Sequence, residues 1–290
     1  PRQVLPRCEP GEVATLVRVA MHELPNRSLA VQRSALQSGA LIPLKTELIS
    51  GPDERFQLRR LISATPKHLA KAGPKPNPFR PWDQRLEVAS LPEHVVLLNK
   101  YPVQAGHLLL ISKHWQAQAD WLQPSDWQAL TEVWAQQPGL WFFNSSAAAG
   151  ASQPHRHLQL LPRVADQLPC PLDAEFEALA QGQSPAQTWQ QSVAARELTS
   201  GSAEELQACY QGLAAELEIG SAISHQRPLH PYNLLLCNKW MVMVRRLKES
   251  HAGFSVNALG FAGYMLATEE SDMNWLTSAG GDALLNQVSA

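Results

Sequence analysis

Between residues 140 and 161 the chain places two apolar runs, Leu140-Trp141-Phe142-Phe143 and Arg156 to Leu161. Between them lies a stretch of small and polar side chains, Asn144-Ser145-Ser146-Ala147-Ala148-Ala149-Gly150-Ala151-Ser152-Gln153-Pro154. Short apolar runs bounded by turn formers read as strands, so this segment is two strands joined by a loop. The second strand opens on His155-Arg156-His157-Leu158-Gln159. Side chains alternate across a strand, which puts His155, His157 and Gln159 on one face and Arg156, Leu158 and Leu160 on the other. Small side chains let a ligand come close to the backbone, and Gly150 permits a turn that other residues would strain. A concavity lined by backbone N–H groups binds phosphate oxygens.

The same alternation extends upstream. Val95-Val96-Leu97-Leu98 and His107-Leu108-Leu109-Leu110-Ile111 are strand-like, joined through Asn99-Lys100-Tyr101-Pro102 and a turn at Gly106. Pro124-Ser125 opens a helix with Trp127, Leu130 and Trp134 on one face. Sheet, helix, sheet in this order predicts an α+β domain with its helix laid on one face of an antiparallel sheet. Nearer the N-terminus, Val13, Leu16, Val17, Ala20 and Met21 have helical spacing, continued by Leu29 to Leu36 after Pro25-Asn26. Leu41 to Ile49 is β-leaning, with Phe56 to Ile62 as its partner. Residues 64–84 interleave Lys67, Lys71, Lys75 and Arg80 with five prolines, a loop that is either a plain connector or a supplier of cations to a phosphate.

After Pro162 comes a glutamine- and alanine-rich insert, 163–201, of weak periodicity. Ser202-Ala203-Glu204-Glu205 is a capping box for a helix striped by Leu206, Tyr210, Leu213 and Leu217. Leu234-Leu235-Leu236 and Met241 to Val244 form a hairpin around Asn238-Lys239. Residues 1–162 and 163–290 are expected to form two regions packed as one catalytic unit.

Composition limits the partners. With 44% hydrophobic and 17% charged residues the chain can bury a core, and 24 basic against 26 acidic side chains argue against a polycation for nucleic acid. No run reaches the ~18–20 apolar residues of a membrane span, and the start lacks a basic-then-apolar leader. Both features point to a cytoplasmic protein without a membrane partner. Cys8, Cys170, Cys209 and Cys237 are too scattered for a zinc site or disulfide frame.

Three chemistries compete for the histidine pair. H-x-H can ligate a metal, but no carboxylate follows and Gln159 is a poor ligand. The pair can be hydrogen-bonded core histidines. Or a neutral imidazole can attack phosphorus, its tautomer fixed by a neighbour.

The segment resembles the signature of the histidine-triad superfamily in its H-x-H-x-Q branch, which holds hexose-1-phosphate uridylyltransferases and ATP adenylyltransferases (diadenosine tetraphosphate phosphorylases). Leu41 to Leu48, Asn77-Pro78-Phe79, Leu98-Asn99-Lys100, Tyr232 to Leu236 and Asn257 to Gly263 are similar to the adenylyltransferases. The resemblance implies an α+β histidine-triad sheet with helices on one face, elaborated by the terminal segments. It implies His157 as the nucleophile, forming an adenylyl-histidine, with His155 supporting the loop and leaving group and Gln159 bonding the transferred phosphate. Lys45, Asn77, Asn99, Asn144, Ser145, Gly150, Ala151, Ser152, Gln153 and Asn257 are the implied nucleotide-binding positions. The implied reaction converts diadenosine tetraphosphate and phosphate to ADP and ATP, with magnesium or a related divalent cation carried on the nucleotide. Uridylyl transfer to a hexose phosphate, dinucleotide hydrolysis and non-catalytic nucleotide binding are the alternatives.

Overall fold

The computed structural model describes residues 23–51, 53–63, 77–163 and 167–290. The pattern at Val13 to Met21, Cys8, and Lys67, Lys71 and Lys75 lie outside the described residues. After helix α1 (Leu24–Gln37), strands β1 (Thr46–Ile49) and β2 (Gln57–Leu61) pair antiparallel, as their β-leaning composition predicts. The larger sheet is antiparallel throughout. It takes β3 (Glu87–Ser90), β4 (His94–Leu98), β5 (Leu108–Ser112), β6 (Gly139–Asn144) and β7 (His157–Pro162) from one half of the chain. From the other half it takes β8 (Val193–Glu197), β9 (Tyr232–Leu236) and β10 (Trp240–Arg245). Its order is β3-β4-β5-β7-β6-β9-β10-β8, so the sheet is continuous across residue 163. A short hairpin, β11 (Ser250–His251) with β12 (Phe254–Ser255), follows, and β13 (Tyr264–Ala267) joins β2 in parallel.

One face of the large sheet is covered by α1, α2 (Pro124–Trp134) and α4 (Ala203–Glu216), with Trp127, Leu130 and Leu213 buried against Val96, Leu110, Leu158, Leu160 and Leu234. The opposite face carries two separate apolar clusters. Phe79, Val95, Leu97, Leu109 and Ile111 form one. The other gathers Leu140, Phe142, Leu161, Leu235 and Val242 under α3 (Asp173–Ala180), α5 (Ala258–Phe261), α6 (Met273–Ala279) and α7 (Gly281–Val288). Sheets covered on both faces read as continuous apolar runs, and every residue of β4, β5 and β9 is buried. His157 and Gln159 of β7 occupy the interval between the two clusters. The glutamine-rich insert contains an unforeseen strand, β8, which closes the sheet edge against β10. The expected capping box at Ser202 is only half formed. Ser202 Oγ accepts from Glu205 N–H, but the Glu205 carboxylate turns to the N–H groups of Thr199, Ser200 and Gly201.

Arg156, on the helix-side face, is fully buried and bonds Asp126 Oδ2 of α2 at 2.7 Å, while His94 Nε2 donates to Asp126 Oδ1 at 2.8 Å. Burial opposes ionisation of Asp126, but the His94 hydrogen bond and the Arg156 charge outweigh it and hold the carboxyl below its ordinary value. This pairing clamps α2 to the back of the histidine strand. Asp126→Ala leaves Arg156 as an uncompensated buried cation and is expected to cost about 3–5 kcal/mol in urea unfolding. A loss below about 1 kcal/mol, the range of an exposed pair, would contradict this.

Candidate active site

Three histidines gather on the open interval of the sheet, and their hydrogen bonds assign each a tautomer. Asn77 Oδ1 accepts from the N–H of Phe79 at 2.9 Å, which turns its Nδ2 to donate to His155 Nδ1 at 2.9 Å. His155 therefore carries its proton on Nε2 and donates it to the Ser112 carbonyl at 2.8 Å. Asn99 repeats the device. Its Oδ1 accepts from Tyr101 N–H at 3.1 Å and its Nδ2 donates to His107 Nδ1 at 3.0 Å, so His107 Nε2–H donates to Gln159 Oε1 at 3.1 Å. That bond fixes the Gln159 amide and leaves its NH₂ group without an acceptor among the described residues, available to an anion.

His157 is the reverse case. Its Nδ1–H donates to the His155 carbonyl at 2.8 Å, leaving the Nε2 lone pair without a partner among the described residues. Burial pushes its pKa down to about 4, and His107 is pushed to about 4 for the same reason. Burial also lowers the His155 pKa. All three imidazoles are thus neutral near pH 7, and His157 alone presents a basic nitrogen. Both His155 nitrogens are engaged, which leaves no lone pair for a metal. Among the described residues no group of three His, Cys, Asp or Glu could hold an ion. Phe79, a buried residue, packs on the rings of both His155 and His157, at 5.7 and 5.5 Å.

The backbone around this row is clamped by Gln118, itself buried. Its Oε1 accepts from His157 N–H at 2.8 Å, and its Nε2 donates to the carbonyls of Asn144 at 2.7 Å and His157 at 3.2 Å. One amide thereby ties the end of β6 to the start of β7 across the mouth of the loop. Inside the loop, the Ser146 carbonyl accepts from Ala149 and Ala151, and Gly150 N–H bonds Ala147. The N–H groups of Ser152 and Gln153, and their side chains, have no protein partner among the described residues. Ser146 Oγ is buried and unpartnered. Gly150 has φ +85°, and a Cβ there would stand 2.6 Å from Asn257 Cβ. Glycine is therefore required on two counts.

Beneath the loop, Asn233 Nδ2 donates to Asn144 Oδ1 and to the Ala149 carbonyl, both at 2.8 Å, and Ala258 N–H also donates to Asn144 Oδ1 at 2.9 Å. Arg246, 2% exposed, donates to Asn233 Oδ1 and to the carbonyls of Ala149, Lys248, Glu249 and Val288, with its guanidinium 5.0 Å from the Phe261 ring centre. No carboxylate bonds it, and burial lowers its pKa to about 10, so it remains a cation held by carbonyl oxygens.

The sequence-derived positions therefore divide. Ser145 is consumed by the sheet, its Oγ accepting from Tyr232 N–H at 2.8 Å. Asn257 caps α5 through Leu259 N–H at 2.9 Å while lying against Gly150. Asn77 and Asn99 orient histidines. Lys45 is exposed beside β1, its ammonium without a protein partner among the described residues, and the preceding chain bonds along the Asn99 loop through Ile42 and Leu44. Sequence reasoning missed His107, Gln118, Asn233 and Arg246 as members of the site. Asn99 and His107 flanking one hairpin was a readable signal, whereas Gln118 lies in an irregular stretch.

Residues 15–178 match the Ap4A phosphorylase N-terminal domain and residues 184–290 the ATP adenylyltransferase C-terminal domain. The chain is similar to Protein APA1 of Saccharomyces cerevisiae, 28% identical over 285 residues, covering 84% of this chain and 87% of that protein. It is also similar to diadenosine 5',5'''-P1,P4-tetraphosphate phosphorylase 2 of the same yeast, 28% identical over 220 residues and covering 64% and 65%. In three dimensions it resembles yeast Ap4A phosphorylase Apa2 in complex with AMP, with a TM-score of 0.72 at 22% identity, over 92% of this chain and 97% of that one. It resembles the same protein in complex with Ap4A with a TM-score of 0.70 at 21% identity, over the same shares.

The neutral histidines fix a pH response. An unfolded histidine takes a proton below about pH 6.5, whereas the native His107 and His157 resist until about pH 4. The unfolded state therefore binds more protons between those values, and stability falls as pH drops through the window. NMR of ring-labelled histidine is expected to show both rings neutral at about pH 5.5. Titration of either near the ordinary value would contradict the assignment.

Proposed function

The chain belongs to the Ap4A phosphorylase family, and from that membership we propose that it catalyses the reversible phosphorolysis of diadenosine tetraphosphate to ADP and ATP through an adenylylated His157. The observation that carries the reading is the contrast of tautomers. Of the three histidines on this face, His157 is the one whose unprotonated nitrogen, Nε2, has no partner among the described residues, whereas Nδ1 of His155 and of His107 each accepts from an asparagine.

In the first half-reaction His157 Nε2 bonds the phosphorus next to one adenosine, the bridging P–O bond to the second phosphate breaks, and ATP leaves with that electron pair. As the imidazole becomes cationic, the His155 carbonyl, already accepting from Nδ1–H, stabilises the charge. In the second half-reaction an oxygen of inorganic phosphate attacks the same phosphorus, the N–P bond breaks, and ADP departs. The Gln159 NH₂ group, its amide oriented by the His107 bond to Oε1, and the Asn144 side chain donate to the phosphoryl oxygens in both steps. Ser152, Gln153 and the exposed Lys45 supply further donors to the polyphosphate. A divalent cation carried on the nucleotide's own oxygens would supply charge neutralisation. The two halves of the chain act as one catalytic unit, because strands from both build the sheet under the site.

With Ap4A and phosphate the protein is expected to release ADP and ATP in equal amounts with ping-pong kinetics. AMP as the main early product would overturn phosphorolysis. Gln159→Ala is expected to slow turnover roughly 10²–10³-fold, the loss of an oxyanion-type donor. Gln159→His, which offers an imidazole able to activate water, is expected to raise the ratio of AMP to ADP. An unchanged ratio would show that Gln159 does not select the acceptor.

A further inference from the structure

A dinucleoside polyphosphate carries two purines, of which one stays on the enzyme through the intermediate while the other departs. One end of the site row, Gln159 and His107, is 9% and 8% exposed, while His155 at the other end is fully buried. The His155 end is bordered by Trp115. This is the one aromatic among the large apolar side chains exposed in the described residues, at 49%. Its ring centre lies 5.3 Å from that of His155, at 73°.

Trp115 is not a loose surface residue. The stretch that follows it runs antiparallel beside the site loop. Arg156 N–H bonds the Gln116 carbonyl at 2.8 Å, Ala117 bridges His155, and Gln118 N–H bonds the Pro154 carbonyl at 2.8 Å. Nor is its ring needed to orient His155, which Asn77 and the Ser112 carbonyl hold and Phe79 packs. A large indole kept half in water, on a stiff segment at the mouth of a nucleotide site, suits a base that must bind and then leave. Every purine has a face to stack, and an open platform releases what it holds.

We propose that Trp115 is the stacking subsite for the purine of the exchanging nucleotide, the ATP that departs in the first half-reaction and enters in the reverse. The subsite rests on the adenylyl-transfer reading above. It leaves the retained adenosine to the Gln159 end of the site.

The test uses the two acceptors of the adenylyl-enzyme separately. Full-length protein is adenylylated with Ap4A, freed of nucleotide, and mixed with either ATP or inorganic phosphate. Trp115→Leu, which keeps an apolar group against His155, is expected to lower kcat/KM for ATP roughly 5–100-fold, the range for loss of one base–aromatic stack, while the phosphate reaction keeps its rate. Trp115→Phe is expected to recover most of the ATP reaction. An ATP reaction unaffected by Trp115→Leu would overturn the subsite. So would equal losses with both acceptors, which would make Trp115 a support for His155. A wild-type protein that takes no adenylyl group at all would remove the reading beneath it as well.

Discussion

A hydrogen bond two residues long decides the chemistry of this protein: His157 Nδ1–H to the carbonyl of His155, at 2.8 Å. Without it the buried imidazole could carry its proton on either nitrogen, and the Nε2–H tautomer would present N–H to the substrate. The bond requires the backbone at 155–157 to be held at one geometry. Much of the surrounding polar structure does that work. Gln118 grips the N–H and C=O of His157, Ser112 takes the proton of His155, and residues 116–118 run alongside 154–157. Behind the strand, the buried Arg156–Asp126 pair fixes the same peptide from the other face.

The site exists because one sheet face is incompletely covered. Apolar clusters led by Phe79 and by Phe142 bury the face on either side of the histidine row. Polar side chains fill the gap, most of their atoms paired with a neighbour as burial demands, with His157 Nε2 and the Gln159 NH₂ group left over for a ligand. The C-terminal elements are part of this arrangement. Arg246 reaches from the end of β10 to the Ala149 carbonyl in the β6–β7 loop and to Val288, and Asn257 sets the limit that only Gly150 meets. A cation solvated by carbonyls also places positive potential under this loop of small residues.

Much of this was legible in the residues. The paired strands around the loop, the H-x-H-x-Q face, the helix at Pro124 and the hairpin at Asn238-Lys239 follow from periodicity and turn chemistry, and the structure has them. Alternation correctly sends Arg156 away from the histidines. Strand β8 was hidden because five residues inside a glutamine-rich segment carry too little pattern to stand out. The polar partners were hidden for a different reason. His107, Gln118 and Arg246 reach the site by pairings across 52, 39 and 97 positions of chain, to Gln159, His157 and Ala149. Local spacing cannot register such contacts. Asn77 and Asn99 were found, but as nucleotide contacts. Their orienting role needed the Asx turns that aim each amide at a ring nitrogen.

The most direct test is to locate the covalent intermediate. Protein mixed with Ap4A in phosphate-free buffer, digested under alkaline conditions that preserve a phosphoramidate, should yield an AMP-bearing peptide with the modification on His157. The label should disappear when phosphate is added and ADP should appear in its place. An adduct on Lys45 or another side chain, or turnover of Ap4A with phosphate and no adduct, would contradict the account at its centre.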